Sequence, residues 1–163
     1  MKEGKKNINI HMALITQLPQ IQYLINSIEG SNEGYLLTLI GLTKSQFLFE
    51  QQLLNFSIWL NDYSLGKAFK NKTERLQIFG SIERGKINNR LHAHLIIKGH
   101  EKVRRTDQEL NAFIRKSWIK LIQAKASPMS TLVDFQITHD LKAAATYALK
   151  EVRSSTSENL LYI

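Results

Sequence analysis

Residues 76–98 read LQIFGSIERGKINNRLHAHLIIK, and this stretch decides the fold of the chain. Residues 76–83 and 91–98 are two apolar runs bounded by polar and turn-forming residues, a pattern typical of β-strands. The connection between them, residues 84–90, is short and contains glycine and asparagine. A short connection of this composition predicts that the two strands form an antiparallel hairpin.

The second strand of the hairpin carries two histidines, His92 and His94, that are separated by one residue. Side chains two positions apart on a strand share one face of the sheet, so both imidazoles point the same way. If Glu83 pairs with His92, its carboxylate joins that face, because directly opposed residues have Cβ atoms roughly 5 Å apart. A register slip of one residue would move Glu83 to the other face. That other face is apolar, with Leu91, Ala93, Leu95 and Ile97.

Two imidazoles and one carboxylate form a donor set that binds a divalent metal and leaves coordination positions open for water or substrate oxygen. We therefore predict a metal site at Glu83, His92 and His94. The alternative is a pair of surface or hydrogen-bonded histidines that bind no metal. Cysteine is absent, which excludes disulfides, thiolate zinc sites and cysteine nucleophiles.

The rest of the chain surrounds the hairpin with helices and further strands. We predict strands at 35–40 and 131–138 and helices at 44–62, 106–123 and 141–152, after a helical segment at 10–28 that Pro19 interrupts. Thr106 and Glu109 have the spacing of a capping box, and Asp140 can cap the last helix. The order of elements predicts an α+β fold, an antiparallel ferredoxin-like sheet with flanking helices that is also RRM-like.

Two of the helices have an apolar face that we expect to point inward. For the helix at 44–62 these residues are Phe47, Leu48, Leu54, Ile58 and Trp59. For the helix at 106–123 they are Leu110, Ile114, Trp118, Leu121 and Ile122.

The composition is that of one basic globular domain over residues 1–163, in which residues 1–30 are a basic tail and an N-terminal helical extension. Lysine and arginine outnumber aspartate and glutamate by 22 to 14, which gives a net charge of +8. This balance favours an acidic partner such as nucleic acid or an anionic membrane, although a soluble protein can also be basic without one. Neither a membrane-spanning run nor a signal core is visible, so we expect a cytoplasmic protein.

The last predicted helix carries a candidate nucleophile within residues 140–151, which read DLKAAATYALKE. Tyr147 and Lys150 are three residues apart and therefore project from the same side. Ala143 and Ala144 lie one turn earlier and leave space for a substrate or for close approach to the sheet. A phenol can attack a phosphodiester, but its pKa near 10 requires help from a metal or a cation such as Lys150. The alternative is an alanine-rich helix with one buried tyrosine.

Together these motifs resemble the HUH endonucleases, in particular the single-tyrosine replication initiator (Rep) proteins of phages and plasmids. His92-Ala93-His94 matches the His-hydrophobic-His motif, Glu83 the preceding acidic ligand, and Tyr147 with Lys150 the Tyr-x-x-Lys motif. Residues 35–43 resemble the first motif of the family more loosely. The resemblance covers residues 35–152, and the motifs occur in the family's order.

The resemblance implies an enzyme that nicks single-stranded DNA at a replication origin hairpin and starts rolling-circle replication in a bacterial host. Mg²⁺ or Mn²⁺ would be held by Glu83, His92 and His94, with zinc also compatible with the ligands. Tyr147 would become joined to the 5′ phosphate and leave a 3′ hydroxyl as primer, while a host helicase and polymerase complete replication. Candidate phosphate-binding residues are Lys86, Arg90, Lys98, Lys102, Arg104 and Arg105.

Three other functions remain open at this point. A single-tyrosine transposase of the same superfamily would have similar length and chemistry. A non-catalytic nucleic-acid-binding module could share the fold, although residues 91–98 lack the aromatic side chains that RNA-recognition sheets use for stacking. A metal-dependent phosphodiesterase could use water instead of Tyr147. We expect surface or capping roles for His11, His100 and His139, and structural roles for Tyr23, Tyr35, Tyr63 and Tyr162.

Overall fold

The computed structural model describes residues 18–28, 33–86, 89–123, 132–149 and 160–163. Its elements are α1 (Leu18–Ser27), β1 (Gly34–Ile40), α2 (Gln46–Leu65), α3 (Lys67–Lys70), β2 (Ile78–Arg84), β3 (Leu91–Lys98), α4 (Asp107–Ile122), β4 (Val133–Thr138), α5 (Leu141–Ala148) and β5 (Leu160–Tyr162). None of these helices is both long enough and apolar enough to cross a membrane.

The five strands form one open sheet in the order β4-β1-β3-β2-β5, and every neighbouring pair is antiparallel. The first four strands have the order expected of a ferredoxin-like arrangement, so the predicted α+β class and the central hairpin are confirmed. The sequence pattern did not predict β5, which extends the sheet beside β2.

The sheet has a different core on each face. On one face, alternate residues of the strands pack with α2 and α4 around Trp118, whose ring meets Phe49 and Phe56 edge-on. The Trp118 indole also donates a hydrogen bond of 3.0 Å to the carbonyl of Ile40, which ties α4 to the end of β1. On the opposite face, α1 and α5 cover a smaller apolar cluster that includes Phe79.

The inward face predicted for α2 is wrong for Phe47, Leu48 and Ile58, while Leu54 and Trp59 are partly buried. The fully buried apolar residues are Phe49, Leu53, Phe56 and Leu60. Phe47 and Leu48 are instead 67% and 52% exposed, and Ile58 is also exposed. The helix carries apolar side chains on more than one face, so helical periodicity alone could not show which of them meets the sheet.

The inward face predicted for α4 is confirmed for all of its residues except Leu121, which is only partly buried. The predicted capping box is also present, with Thr106 and Glu109 bonded to each other's backbone N–H groups. α1 begins at Leu18, so Pro19 lies in its first turn, where proline is tolerated. The predicted tail, the helical residues 10–17 and residues 150–152 of the last helix lie outside the described residues.

Candidate metal centre and tyrosine helix

The strand register brings the three predicted metal ligands to one face of the sheet. Glu83 pairs with His92 across the β2–β3 hairpin, as predicted, and Ser81 pairs with His94. On the other side of β3, Thr38 of β1 pairs with His94. These side chains therefore share the sheet face that α5 partly covers, while their strand neighbours fill the core against α2 and α4.

The side chains of Glu83, His92 and His94 converge closely enough to share one ion. One potential ligand atom from each residue lies within 4.8 Å of the others, and all three residues are half-buried. The Nε2 atom of His94 lies 2.9 Å from the Glu83 Oε1 atom, and the Nδ1 atom of His92 lies 3.8 Å from it. Within the described part of the chain, no other histidine and carboxylate group of three is this compact.

His92 could serve as a metal ligand. Burial lowers the pKa of His92 most, the charges of His94 and Arg90 lower it further, and the Glu83 carboxylate opposes them. A lowered pKa favours the neutral imidazole, which is the form that binds metals. Its Nδ1 atom faces Glu83, and its buried Nε2 atom has no hydrogen-bond partner among the described residues. An imidazole beside a carboxylate and a second imidazole completes a donor set that could hold a divalent cation.

Thr38 is a residue of the site that the sequence interpretation did not assign. Its Oγ1 atom lies 3.0 Å from Nδ1 of His94, while Nε2 of the same ring faces Glu83. When Nδ1–H donates to Thr38, the lone pair on Nε2 is available to a cation. Partners of this kind fix the tautomer and the orientation of metal-binding histidines.

Tyr147 lies beside this cluster. Its ring meets the ring of His94 edge-on, with centroids 5.9 Å apart and planes at 79°. Tyr147 is 48% exposed, so a substrate can reach its phenol. Ala144 is buried below it and Ala143 is exposed, which agrees with an alanine-rich surface that lets α5 approach the sheet closely.

Both ends of α5 are fastened by hydrogen bonds. At its start, the side chain of Asp140 accepts a bond of 2.9 Å from the Ala143 N–H, as predicted for a cap. At its end, the fully buried Ser81 hydroxyl donates a bond of 2.6 Å to the carbonyl of Ala148, the residue after Tyr147. Ser81 therefore links the tyrosine helix to the strand that carries Glu83, and sequence reasoning missed this role.

The predicted phosphate-binding residues divide between the two ends of the sheet. Lys86 and Arg90 lie in the hairpin connection at the end where Glu83 and His92 are found. Lys98 closes β3 six residues beyond His92, roughly 20 Å away along the strand. The loop after β3 holds Lys102, Arg104 and Arg105.

Three of the cations at this far end have local partners. Lys98 donates to the Ser27 carbonyl, Lys102 pairs with Glu74, and the Arg105 guanidinium lies over the Tyr63 ring. Lys150, the cation predicted to assist Tyr147, lies outside the described residues.

The other described histidines and tyrosines do not belong to the cluster. His100 bonds to Glu74 and His139 is exposed, while His11 lies outside the described residues. Tyr35 bonds to Asp107 and stacks on Phe135, and Tyr63 stacks on Phe113. Tyr23 and Tyr162 are mostly exposed, which does not agree with the structural role predicted for them.

Comparisons of the chain with protein-family models, curated proteins and solved structures found no match.

Proposed function

We propose that this protein is a metal-dependent enzyme of the HUH type that nicks and rejoins single-stranded DNA and initiates rolling-circle replication. The observation that carries the proposal is the contact between the rings of Tyr147 and His94. This contact places a solvent-accessible phenol beside a cluster of two histidines and a glutamate, although Tyr147 and His94 are far apart in sequence. The metal cluster and the tyrosine helix were predicted separately, and their proximity is the relation that the proposed chemistry requires.

Glu83, His92 and His94 would hold the ion, for which Mg²⁺ and Mn²⁺ are the candidates. When bound, such an ion offsets the negative charge of a phosphodiester during attack. Thr38 lies within hydrogen-bonding distance of the His94 ring, and burial lowers the pKa of His92, which favours the neutral form that binds metals. The donor set is therefore prepared for a cation before any DNA arrives.

The proposed reaction exchanges one phosphate ester for another. The Oη atom of Tyr147 attacks phosphorus, its proton is released, and the bond from phosphorus to the 3′ oxygen breaks. The DNA is then joined to Tyr147 through its 5′ phosphate, and the 3′ oxygen takes up a proton to become a free hydroxyl that can prime synthesis. A later 3′ hydroxyl attacks the phosphotyrosine and restores the phosphodiester. The number of ester bonds is unchanged, so no ATP is consumed.

The bonds at the two ends of α5 support this role, because a nucleophile held in one place loses less entropy when it reacts. Lys86 and Arg90 would contact phosphates next to the site, and their charges favour binding of a polyanion. Lys150, Lys98, Arg104 and Arg105 remain candidates from the sequence for contacts with the phenolate or with more distant phosphates. A host helicase and polymerase would complete replication in the cytoplasm of a bacterial host.

The test is denaturing gel electrophoresis of the protein with fluorescent single-stranded DNA, with Mn²⁺ or with EDTA. The oligonucleotides should include replication-origin hairpins and transposon-end hairpins, since a transposase of the same type would prefer the latter. We expect a metal-dependent protein–DNA adduct that Tyr147→Phe abolishes. Tyr162→Phe is the matched control, because Tyr162 is also about half exposed but lies on β5. This variant should still form the protein–DNA adduct.

Two outcomes would contradict the proposal. Cleavage that survives Tyr147→Phe without an adduct would show that water is the nucleophile. DNA binding with neither cleavage nor adduct on any hairpin would favour a non-catalytic nucleic-acid-binding module.

A further inference from the structure

Three large apolar side chains are exposed in the short segment where β1 leads into α2. Leu42, Phe47 and Leu48 are 40%, 67% and 52% exposed, and we call them the 42–48 surface. A single exposed leucine is ordinary, whereas contiguous exposed apolar surface marks sites that bind partners, and these three residues lie within seven positions of the chain. Periodicity predicted two of them to be in the core, but none of the three belongs to the main core cluster.

The 42–48 surface is fixed to the end of the sheet that carries the metal cluster. Directly after β1, the N–H of Gly41 donates a bond of 2.8 Å to the carbonyl of Leu91, the neighbour of His92. The guanidinium of Arg84, the neighbour of Glu83, donates to the carbonyl of Lys44 at 3.3 and 3.4 Å. The loop and the hairpin connection therefore form one continuous edge.

The lack of a side chain at Gly41 lets the backbone after β1 pass close to the ring of Phe49. A Cβ atom at this position would lie 2.6 Å from a ring carbon of Phe49, whose side chain belongs to the main core. The chain therefore passes directly over Phe49 before the first turn of α2, where Ser45 caps the helix by accepting a bond from the Leu48 N–H. The positions of Phe47 and Leu48 follow from this cap.

The charged side chains in the two segments that form this edge are all positive. Residues 41–48 and 84–90 together contain four cations and no aspartate or glutamate: Lys44, Arg84, Lys86 and Arg90. The adjacent acidic residues are Glu83, which belongs to the metal cluster, and Glu50, which accepts a hydrogen bond from Gln46. An apolar patch with a cationic border fits a partner that has both flat apolar faces and regularly spaced negative charges.

We propose that the 42–48 surface binds single-stranded nucleic acid, with the Phe47 ring stacked on a base and the four cations on the adjacent phosphates. Unpaired bases offer apolar faces at every nucleotide, and stacking on an aromatic side chain tolerates any sequence. A duplex hides those faces between its base pairs. The inference rests on the proposed function in two respects: it names DNA as the nucleic acid, and it assigns the strand next to the nick to this edge of the sheet.

The test is fluorescence anisotropy with a labelled oligothymidine in EDTA, where no metal-dependent cleavage can occur. We expect Phe47→Ala to raise Kd roughly fivefold to a hundredfold, the range found when one base loses its aromatic partner. Phe47→Trp should keep the affinity, and its added fluorescence should be quenched on binding. Tyr23→Ala is the matched control, because it removes an aromatic side chain that is 72% exposed on α1, and it should bind as the wild type does.

The inference is overturned if Phe47→Ala binds oligothymidine as tightly as the wild type, or if a duplex competes as well as the single strand. A change of mass in sedimentation for Phe47→Ala, with unchanged DNA affinity, would show that a second copy of the chain covers the surface. Failure of the proposed nicking reaction is a separate result. In that case no adduct forms in Mn²⁺, while binding in EDTA still depends on Phe47.

Discussion

Ser81→Ala removes the hydroxyl that connects the tyrosine helix to the sheet. In the folded protein this hydroxyl donates a bond of 2.6 Å to the Ala148 carbonyl, and both residues are buried. Helix-terminal carbonyls have no partner within their own helix, so the substitution leaves a buried acceptor unsatisfied. The cost of such a group is about 1–3 kcal/mol, and we expect the free energy of unfolding to fall by that amount. Urea denaturation followed by circular dichroism measures it.

The same substitution should slow the formation of the DNA adduct more than the stability loss explains. Without the bond, the end of α5 can shift relative to His94, and a displacement of about 1 Å at a reacting group can cost on the order of a hundredfold in rate. We expect the rate of adduct formation at saturating DNA to fall roughly tenfold to a hundredfold. The Kd for DNA in EDTA should not change, because Ser81 contacts no solvent.

Ser57→Ala is the matched control for this prediction. Ser57 is also buried and donates a bond of 2.8 Å to a backbone carbonyl, that of Leu54, but it lies on α2 in the opposite layer. It should lower stability without slowing adduct formation in the folded fraction. If Ser81→Ala and Ser57→Ala have equal adduct rates, the argument that Ser81 positions Tyr147 is refuted.

Two further predictions concern the metal cluster and the far end of the sheet. Thr38→Val should weaken Mn²⁺ binding roughly tenfold to a hundredfold, because the Thr38 hydroxyl orients His94. Thr38→Ser keeps the hydroxyl and should keep the affinity. Calorimetry measures both, and equal Mn²⁺ affinity of Thr38→Val and the wild type would contradict the prediction. The pKa of Tyr35 is raised to about 12, first by burial and then by its hydrogen bond to Asp107. Because this value lies above the usual value of about 10, the phenol's contribution to stability is complete below pH 10 and is lost as the pH rises through about 12. Absorbance titration of the phenolate should show Asp107→Asn lowering this pKa, and an unchanged titration would refute the role of the carboxylate.

The parts of the site that the sequence predicted depend on short-range geometry. Glu83 and His92 are nine positions apart on one hairpin, so its connection and the period of two residues determine which side chains meet. The cap at Asp140 is likewise a local feature. Thr38 and Ser81 could not be found in this way, because their partners are 56 and 67 positions distant and depend on how strands and helices assemble.

The inward face of α2 could not be predicted for a different reason. Its sequence has apolar residues on the buried side, at Phe49 and Phe56, and also on the exposed side, at Phe47. The apolar spacing therefore fits more than one helix face and does not identify the face that packs on the sheet. Phe47 fits the core pattern but lies outside the main core cluster, so core packing does not explain why an aromatic residue is found at this position. β5 was missed because three residues are too few to show alternation.

The position of Tyr147 is a property of the tertiary structure. The helix that carries it has eight residues, and isolated helices of that length are not stable in water. α5 therefore depends on its cap at Asp140, on the Ser81 bond and on the burial of Ala144, Ala145 and Ala148 against the sheet. The strand that carries Glu83 also carries Ser81, so β2 contributes one residue to the metal cluster and one hydrogen bond to the end of the tyrosine helix. Because α5 also packs on β1 and β3, the Ser81 bond is the link that ties the end of the tyrosine helix to the strand of the carboxylate.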